Sequence, residues 1–298
     1  NKIALIYGLG PTSMNTGIKA RSLSQTIRNL TNDGDVKAIV FRVDSPGGDP
    51  MASDLVAEAL AEASKKKPVI VSQGQVAGSG GYWISMNADT IVAGPNTITG
   101  SIGVIGGWLY DDGFSDKTGL SHDKVQQGEH ADLFSGYRLP AGIGEIPTRN
   151  LTKEERQRVE ELFMELYDSF VEKVAAGRDT TESHIRDIGE GHIYSGWDGR
   201  DNGLVDEIAN LNGAIAMART AAGLDDNPYV EVKEIGGISG FFNLSGLLPF
   251  PMPTTLKLQD IPGAGLSEEA EFIRLMLEHQ PKPLIMMPPD TYPKADQD

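Results

Sequence analysis

In the first hundred residues, short apolar runs alternate with stretches of helical periodicity, and two of those runs end in glycine-rich turns. Ile3 to Tyr7, Ala38 to Val43, Pro68 to Ser72 and Thr90 to Ala93 read as strands. Leu23, Ile27 and Leu30 recur at helical spacing between the first two, and Met51, Leu55, Val56, Ala59 and Leu60 between the next two. This alternation predicts an α/β fold whose crossover helices return each strand parallel to the last. The third strand leads through Gln73-Gly-Gln-Val-Ala-Gly-Ser-Gly-Gly, read as a sharp turn, into a short helix at Tyr82-Trp-Ile-Ser-Met.

Further along, Thr152 with Glu155 three residues on forms a capping box ahead of Val159, Leu162, Phe163, Leu166, Phe170 and Val174, with Gly177 expected at the C-cap. Past about residue 225 the chain turns Gly- and Pro-rich, with one amphipathic pattern from Ser267 to His279. The expected division is a main domain over 1–225 and a C-terminal extension over 226–298. No internal repeat has a solenoid period.

Charge and residue usage narrow the function. With 42 acidic against 26 basic side chains the net charge is −16, which disfavours nucleic acid and an anionic membrane surface as partners. The absence of cysteine excludes a thiol nucleophile and a zinc–thiolate site. Ile235 to Leu256 carries no charge, but Pro249, Pro251, Pro253 and four glycines argue against a spanning helix. Its Phe241, Phe242, Leu244, Leu247, Leu248, Phe250 and Met252 are expected to meet a neighbouring subunit or line an apolar channel.

The two glycine-rich turns carry the candidate chemistry. Asp44-Ser-Pro-Gly-Gly-Asp follows the second strand and Ala77-Gly-Ser79-Gly-Gly the third, so in a parallel sheet both reach the edge formed by strand C-termini. Acyl transfer needs a tightly held nucleophile, which Ser79 between glycines supplies, and amides aimed at the developing oxyanion. The Gly80 amide and that of Gly47 or Gly48 are the candidates. Singly, each turn reads as an ordinary turn or helix cap; their order after successive strands raises the functional reading. Gly8-Leu-Gly-Pro-Thr-Ser-Met-Asn-Thr-Gly mimics a phosphate loop, but no Gly-Lys-Ser/Thr follows; it reads as a substrate-side loop or plain connection, and ATP is not implied. His122, His184, His192 and His279 lack metal-ligand spacing, so neither metal nor other cofactor is expected. Lys117 and Lys124 read as solvated loop charges.

These residues resemble the signal peptide peptidase A or protease IV serine peptidases, which share the crotonase/Clp protease-like fold of repeated ββα units. The match runs through Val40-Phe-Arg-Val-Asp-Ser-Pro-Gly-Gly, Lys67-Pro-Val-Ile-Val-Ser, Ala77-Gly-Ser-Gly-Gly-Tyr-Trp-Ile-Ser, Thr97-Ile-Thr-Gly-Ser-Ile-Gly-Val-Ile, Gly191-His-Ile-Tyr-Ser-Gly and Asp201-Asn-Gly-Leu-Val-Asp. It covers roughly residues 1 to 223 in the family's order. The resemblance implies Ser79 as nucleophile, the Gly47-Gly48 turn in the oxyanion hole, apolar peptides such as cleaved signal peptides as substrate, and a bacterial inner-membrane location facing the periplasm.

One departure concerns the base. Short, single-repeat members carry a lysine in a Gly-x-x-Lys-Asp context; here Gly128-Glu-His-Ala131-Asp puts Ala131 at that place. The chain therefore resembles the C-terminal half of the long tandem form, and a start at Asn1 directly before a strand fits a half-protein. A lysine from an N-terminal half or neighbouring subunit, in a tandem or homo-oligomeric assembly, would supply the base, provided its pKa falls from ~10.4 toward neutrality. The rival base is local: His130 and Asp132 alternate in a stretch expected to be extended and so point the same way. Two other classes stay open, a catalytically silent scaffold and a crotonase-type acyl-CoA enzyme.

Overall fold

The computed structural model describes residues 1–119, 123, 125–133, 136–138 and 145–235. Its elements in chain order are β1 (Lys2–Leu9), α1 (Ala20–Asn32), β2 (Val36–Ser45), α2 (Pro50–Ser64), β3 (Val69–Gly78), α3 (Gly80–Trp83), β4 (Thr90–Ala93), β5 (Ile98–Gly100), α4 (Phe114–Thr118), β6 (Gly136–Arg138), β7 (Glu145–Pro147), α5 (Lys153–Gly177), α6 (Glu182–Asp187), β8 (Ile193–Tyr194), α7 (Gly196–Asp201), β9 (Glu207–Ile208), α8 (Leu211–Ala221) and β10 (Glu231–Ile235). The main sheet runs β10-β1-β2-β3-β4-β9, with β5 on the far part of β3 and β8 on β5. Among the described residues its ladders are parallel except the antiparallel β5–β8 pair. The fold is thus the parallel-dominated α/β architecture that the strand–helix alternation predicts.

Central strands buried on both faces read as near-continuous apolar runs, and β2 does so from Ala38 to Val43, interrupted by the half-buried Arg42. Ile39, Phe41 and Val43 face a cluster with α1 and α2, while Ala38 and Val40 face a cluster that includes Ala214 and Ala218 of α8. A third cluster, on α3 and α5, holds Tyr82, Trp83, Phe170 and Val174.

Three expectations need correction. First, Gln73 to Gly78 is strand rather than turn: β3 continues because β5 gives it a new partner, Val76 to Gly78 pairing with Ile98 to Gly100. The register against β2 shifts between Val43 and Ser45, and the Asp44 carboxylate fills the gap by accepting the Gln75 and Val76 amides at 3.2 and 3.1 Å. That shift carries both strands onward, so that Ser45 faces Ala77. Second, Gly177 is not a left-handed C-cap; Arg178 caps α5 at φ −103. Glycine is required at 177 by close approach, since a Cβ there would lie 2.7 Å from the Met86 carbonyl oxygen. Third, the sheet passes residue 225: β10 pairs with β1 from Lys2↔Glu231 to Ile6↔Ile235. The amphipathic pattern over 267–279, the apolar stretch from Phe241 to Met252, His122, Lys124 and His279 lie outside the described residues.

The start of α5 follows the sequence. Thr152 and Glu155 make the expected capping box, with Thr152 Oγ1 accepting from the Glu155 amide and Glu155 Oε2 from the Thr152 amide. Asp49 caps α2 by accepting the Met51 and Ala52 amides at 2.8 and 3.2 Å. Asp49→Ala should cost about 1 kcal/mol, read as a lower denaturation midpoint; an unchanged midpoint would mean that water caps α2 equally well.

Candidate active site

Two strand ends deliver the two turns to one place. At the end of β3, Ser79 takes φ 52 and ψ −119, a conformation that costs a non-glycine residue about 1–3 kcal/mol and persists only where its surroundings hold it. The holding contacts are explicit. The Ser79 amide donates to the Gly100 carbonyl at 2.9 Å, its carbonyl accepts from Trp83 at 2.9 Å as α3 begins, and the Tyr82 hydroxyl ties α3 to the Leu204 carbonyl at 2.9 Å.

The turn after β2 packs directly on this serine. Gly47, at φ 102, lies so close that a Cβ on it would sit 2.8 Å from Ser79 Cβ and 2.7 Å from the Gly80 nitrogen. Gly48, at φ 146, bridges Thr12 in parallel: the Thr12 amide donates to the Gly47 carbonyl at 2.8 Å, and the Thr12 carbonyl accepts from Asp49 at 2.9 Å. Thr12, buried, also accepts from the Ser53 hydroxyl through Oγ1 at 3.0 Å. The loop resembling a phosphate cradle is therefore a clamp on the Gly47-Gly48 turn. The Gly47 amide is engaged by Ser45 Oγ at 3.2 Å, whereas the Gly48 and Gly80 amides have no acceptor among the described residues.

Ser79, Gly48 and Gly80 open into a cleft of about 710 Å³. Trp83 and Phe170 form part of its wall, stacked with centroids 4.4 Å apart and rings inclined by 27°. Phe163, Met164 and Tyr167 of α5, Val104 and Ile105 of the segment after β5, and Pro46 and Pro50 add to the apolar lining. Behind the wall, Trp83 Nε1 donates to Asp54 at 3.0 Å, and Lys173 donates to Asp54 and Glu58. Burial works against the charge on Lys173, but its bonds to these two carboxylates outweigh it and raise its pKa above the ordinary lysine value. Lys173 is thus held protonated and is no general base. The described lining of the cleft includes no lysine, arginine or histidine.

The His130–Asp132 pair does not form. The expected extended stretch is a turn, and its two side chains are committed to different partners: His130 Nδ1 lies 2.8 Å from Glu155 Oε1, while Asp132 accepts from Arg149 Nε and Nη2 at 3.1 and 2.8 Å. Arg149 also donates to both Glu155 oxygens, at 2.7 and 2.8 Å. Arg149 first, then the Thr152 amide and His130, hold the Glu155 carboxyl far below the usual carboxylate range. His130 lines a separate pocket with Leu133, Val159 and Leu162, not the cleft of Ser79. Ala131 sits in the same turn, exposed.

The other histidines act locally: His184 Nε2 meets the Asn202 carbonyl at 2.8 Å and His192 Nδ1 the Gly189 carbonyl at 2.9 Å. Lys117 is exposed on α4. Among the described residues no cluster of three His, Cys, Asp or Glu could hold a metal ion, and no helix is long and apolar enough to cross a membrane. Thr12, Tyr167 and Glu190 of this site were not singled out by sequence reasoning. The signal for Thr12 is the Gly8-to-Gly17 loop that contains it, and nothing local marks Tyr167 or Glu190.

A strained serine, two unengaged amides beside it and an apolar cleft make up the geometry of an acyl-transfer site. The model of peptidase family S49 matches residues 61–225. The chain is 33% identical over 227 residues to the chloroplastic serine protease SPPA of Arabidopsis thaliana, covering 76% of this chain and 32% of that protein. Protease 4 of Salmonella typhi is 38% identical over 199 residues, 66% of this chain and 30% of that one. Protease 4 of Haemophilus influenzae is 35% identical over 198 residues, with 66% and 30% covered. A solved structure of a ClpP1 mutant from Listeria monocytogenes is similar with a TM-score of 0.46 at 17% identity, over 72% of this chain and 94% of that one. This chain belongs to peptidase family S49. It spans about a third of the length of the three curated relatives named here.

Proposed function

We propose that the chain carries the nucleophilic half of a serine endopeptidase that hydrolyses apolar peptides, cleaved signal peptides among them, in a bacterial envelope. One observation carries the reading: Ser79 is held in a strained conformation and lines an apolar cleft together with Gly48 and Gly80, whose amides are unengaged among the described residues. Ser79 Oγ attacks the scissile carbonyl, the two amides take the oxyanion, and Gly47 supplies close contact rather than a donor. A lysine from outside this chain, borne by an N-terminal half or a neighbouring subunit, removes and returns the proton; water then resolves the acyl-enzyme. A basic group is needed because a serine hydroxyl is a weak nucleophile without one. The lining of the cleft also speaks against the acyl-CoA reading, since it offers no cation for a phosphate.

The test measures hydrolysis of a fluorogenic apolar peptide by the chain, by Ser79→Ala and by Ala131→Lys, with oligomer mass recorded in the same samples. Ala131 shares its turn with His130, which bonds Glu155 near the start of α5, whereas the cleft takes residues 163 to 170 of that helix. Twelve residues of helix, from Glu155 to Tyr167, span about 18 Å, far more than a lysine side chain reaches. Ala131→Lys should therefore restore turnover only in an assembly, with specific activity falling on dilution. Ser79→Ala should remove that turnover about a thousandfold or more. Ser79-dependent turnover by the unmodified monomer would place the base within this chain and refute the external lysine. Turnover indifferent to Ser79→Ala would refute the serine.

A further inference from the structure

Glu190 is the one carboxylate among the described residues lining the cleft, and the cleft lining holds no opposing cation. It is exposed, at φ 55, and its backbone is fixed from two sides. The Glu190 amide donates to the Tyr167 hydroxyl at 3.2 Å, and its neighbours are stitched to the chain leaving β5: Gly191 donates to the Ile102 carbonyl at 2.9 Å, and Ser101 to the His192 carbonyl at 2.7 Å. That same chain holds the nucleophile, since the Ser79 amide donates to Gly100. Glu190 therefore stands just ahead of β8 as Ser79 stands just past β3, with β5 between them. Two inter-strand spacings amount to roughly 10 Å, the span of about three residues of extended peptide.

The basic residues flanking Glu190 in sequence have other partners. Arg186 is bound to Asp168 and Glu182 and lies over the Tyr167 ring at 5.9 Å, and His192 Nδ1 contacts Gly189. Among the described residues the Glu190 carboxylate has no ion pair, and the lining it shares with Ile105, Phe163 and Met164 is largely apolar. A carboxylate at the edge of such a cleft rewards a ligand that brings a positive group and penalises one that brings a carboxylate.

We propose that Glu190 makes this cleft select peptides bearing one basic side chain about three residues from the scissile bond, within an otherwise apolar stretch. The inference rests on the peptidase reading and names its substrate class. The side chain recognised is an ammonium or guanidinium of the peptide itself.

The test is fluorescence anisotropy with the Ser79→Ala chain, which binds without cleaving and needs no base. The probes are fluorescein-labelled apolar octapeptides in which norleucine is replaced by lysine at one position at a time. Lysine at one or two adjacent positions should tighten binding about fivefold over norleucine at low salt, the size expected for a partly exposed ion pair. Glu190→Gln should erase that gain, and Asp187→Asn, which removes the same net charge from an exposed site outside the cleft, should keep it. A uniform preference at every position, a gain retained in Glu190→Gln, or no gain would overturn the assignment. Ser79-dependent hydrolysis of the norleucine peptide by the assembled enzyme reports on the peptidase reading separately. With that activity intact, loss of the charge preference sinks Glu190 alone; with it absent and no peptide bound, both fall.

Discussion

Gly47→Ala should lower kcat for peptide hydrolysis about 10²- to 10³-fold in the assembled enzyme while the sheet stays folded. The methyl group would arrive 2.8 Å from Ser79 Cβ and 2.7 Å from the Gly80 nitrogen, distances that real Cβ atoms do not tolerate, on a residue whose φ is 102. Both obstructing atoms belong to backbone-fixed parts of the site, so relief must come from moving Ser79 or turning the Gly80 amide away. Either motion would spoil the alignment that the proposed oxyanion site requires, since a displacement of about 1 Å is enough to cost a hundredfold. The fold should survive, because the strain is confined to one turn and amounts to about 1–3 kcal/mol. Steady-state kinetics and labelling by a serine-directed fluorophosphonate, beside far-ultraviolet circular dichroism, check this. Activity within twofold of the parent would show that the Gly47 contact has no part in positioning Ser79.

Phe170→Ala should be the most destabilising of the changes considered, by about 3–5 kcal/mol. The ring is 1% exposed, stacks on Trp83 and shares its cluster with Tyr82 and Val174, so its removal leaves a void between α5 and α3 that neither helix can close without breaking other contacts. Phe170→Leu refills most of that volume and should cost less than half as much. Because Trp83 keeps its bond to Asp54 but loses its stacking partner, KM for apolar peptides should rise in the leucine variant more than kcat falls. Chemical denaturation and kinetics on the two variants measure both effects. A loss below 1 kcal/mol for Phe170→Ala would mean that the wall of the cleft is not load-sharing with the core.

The parts of this structure legible in the sequence are those governed by local periodicity and local chemistry. β2 shows as an apolar run because both its faces are buried, and α5 announces its start through Thr152 and Glu155. Ser79 stands out because a serine among glycines after a strand suits a strained turn. What stayed hidden depends on distant partners. Gln73 to Gly78 looks like a turn, and becomes strand only because Ile98 to Gly100 comes to lie beside it. Gly177 looks like a cap, but its lack of a side chain answers the Met86 carbonyl. His130 and Asp132 look like a pair until Glu155 and Arg149, reached through tertiary contact, separate them. Glu190 and Tyr167 carry no local mark, since their place in the cleft is set by pairing between chain segments far apart in sequence.

The parallel ladder between β1 and β10 has a consequence for how the molecule is made. β1 must wait for its β10 partner until residues 231 to 235 have been translated, long after β2 is available on its other side. Until then the backbone groups of Lys2 to Ile6 on that side offer a template for any extended chain that comes near. Loop closure over so many residues is slow compared with forming the neighbouring β1–β2 pair, so the late-arriving strand sets the interval during which the nascent chain is open to wrong partners.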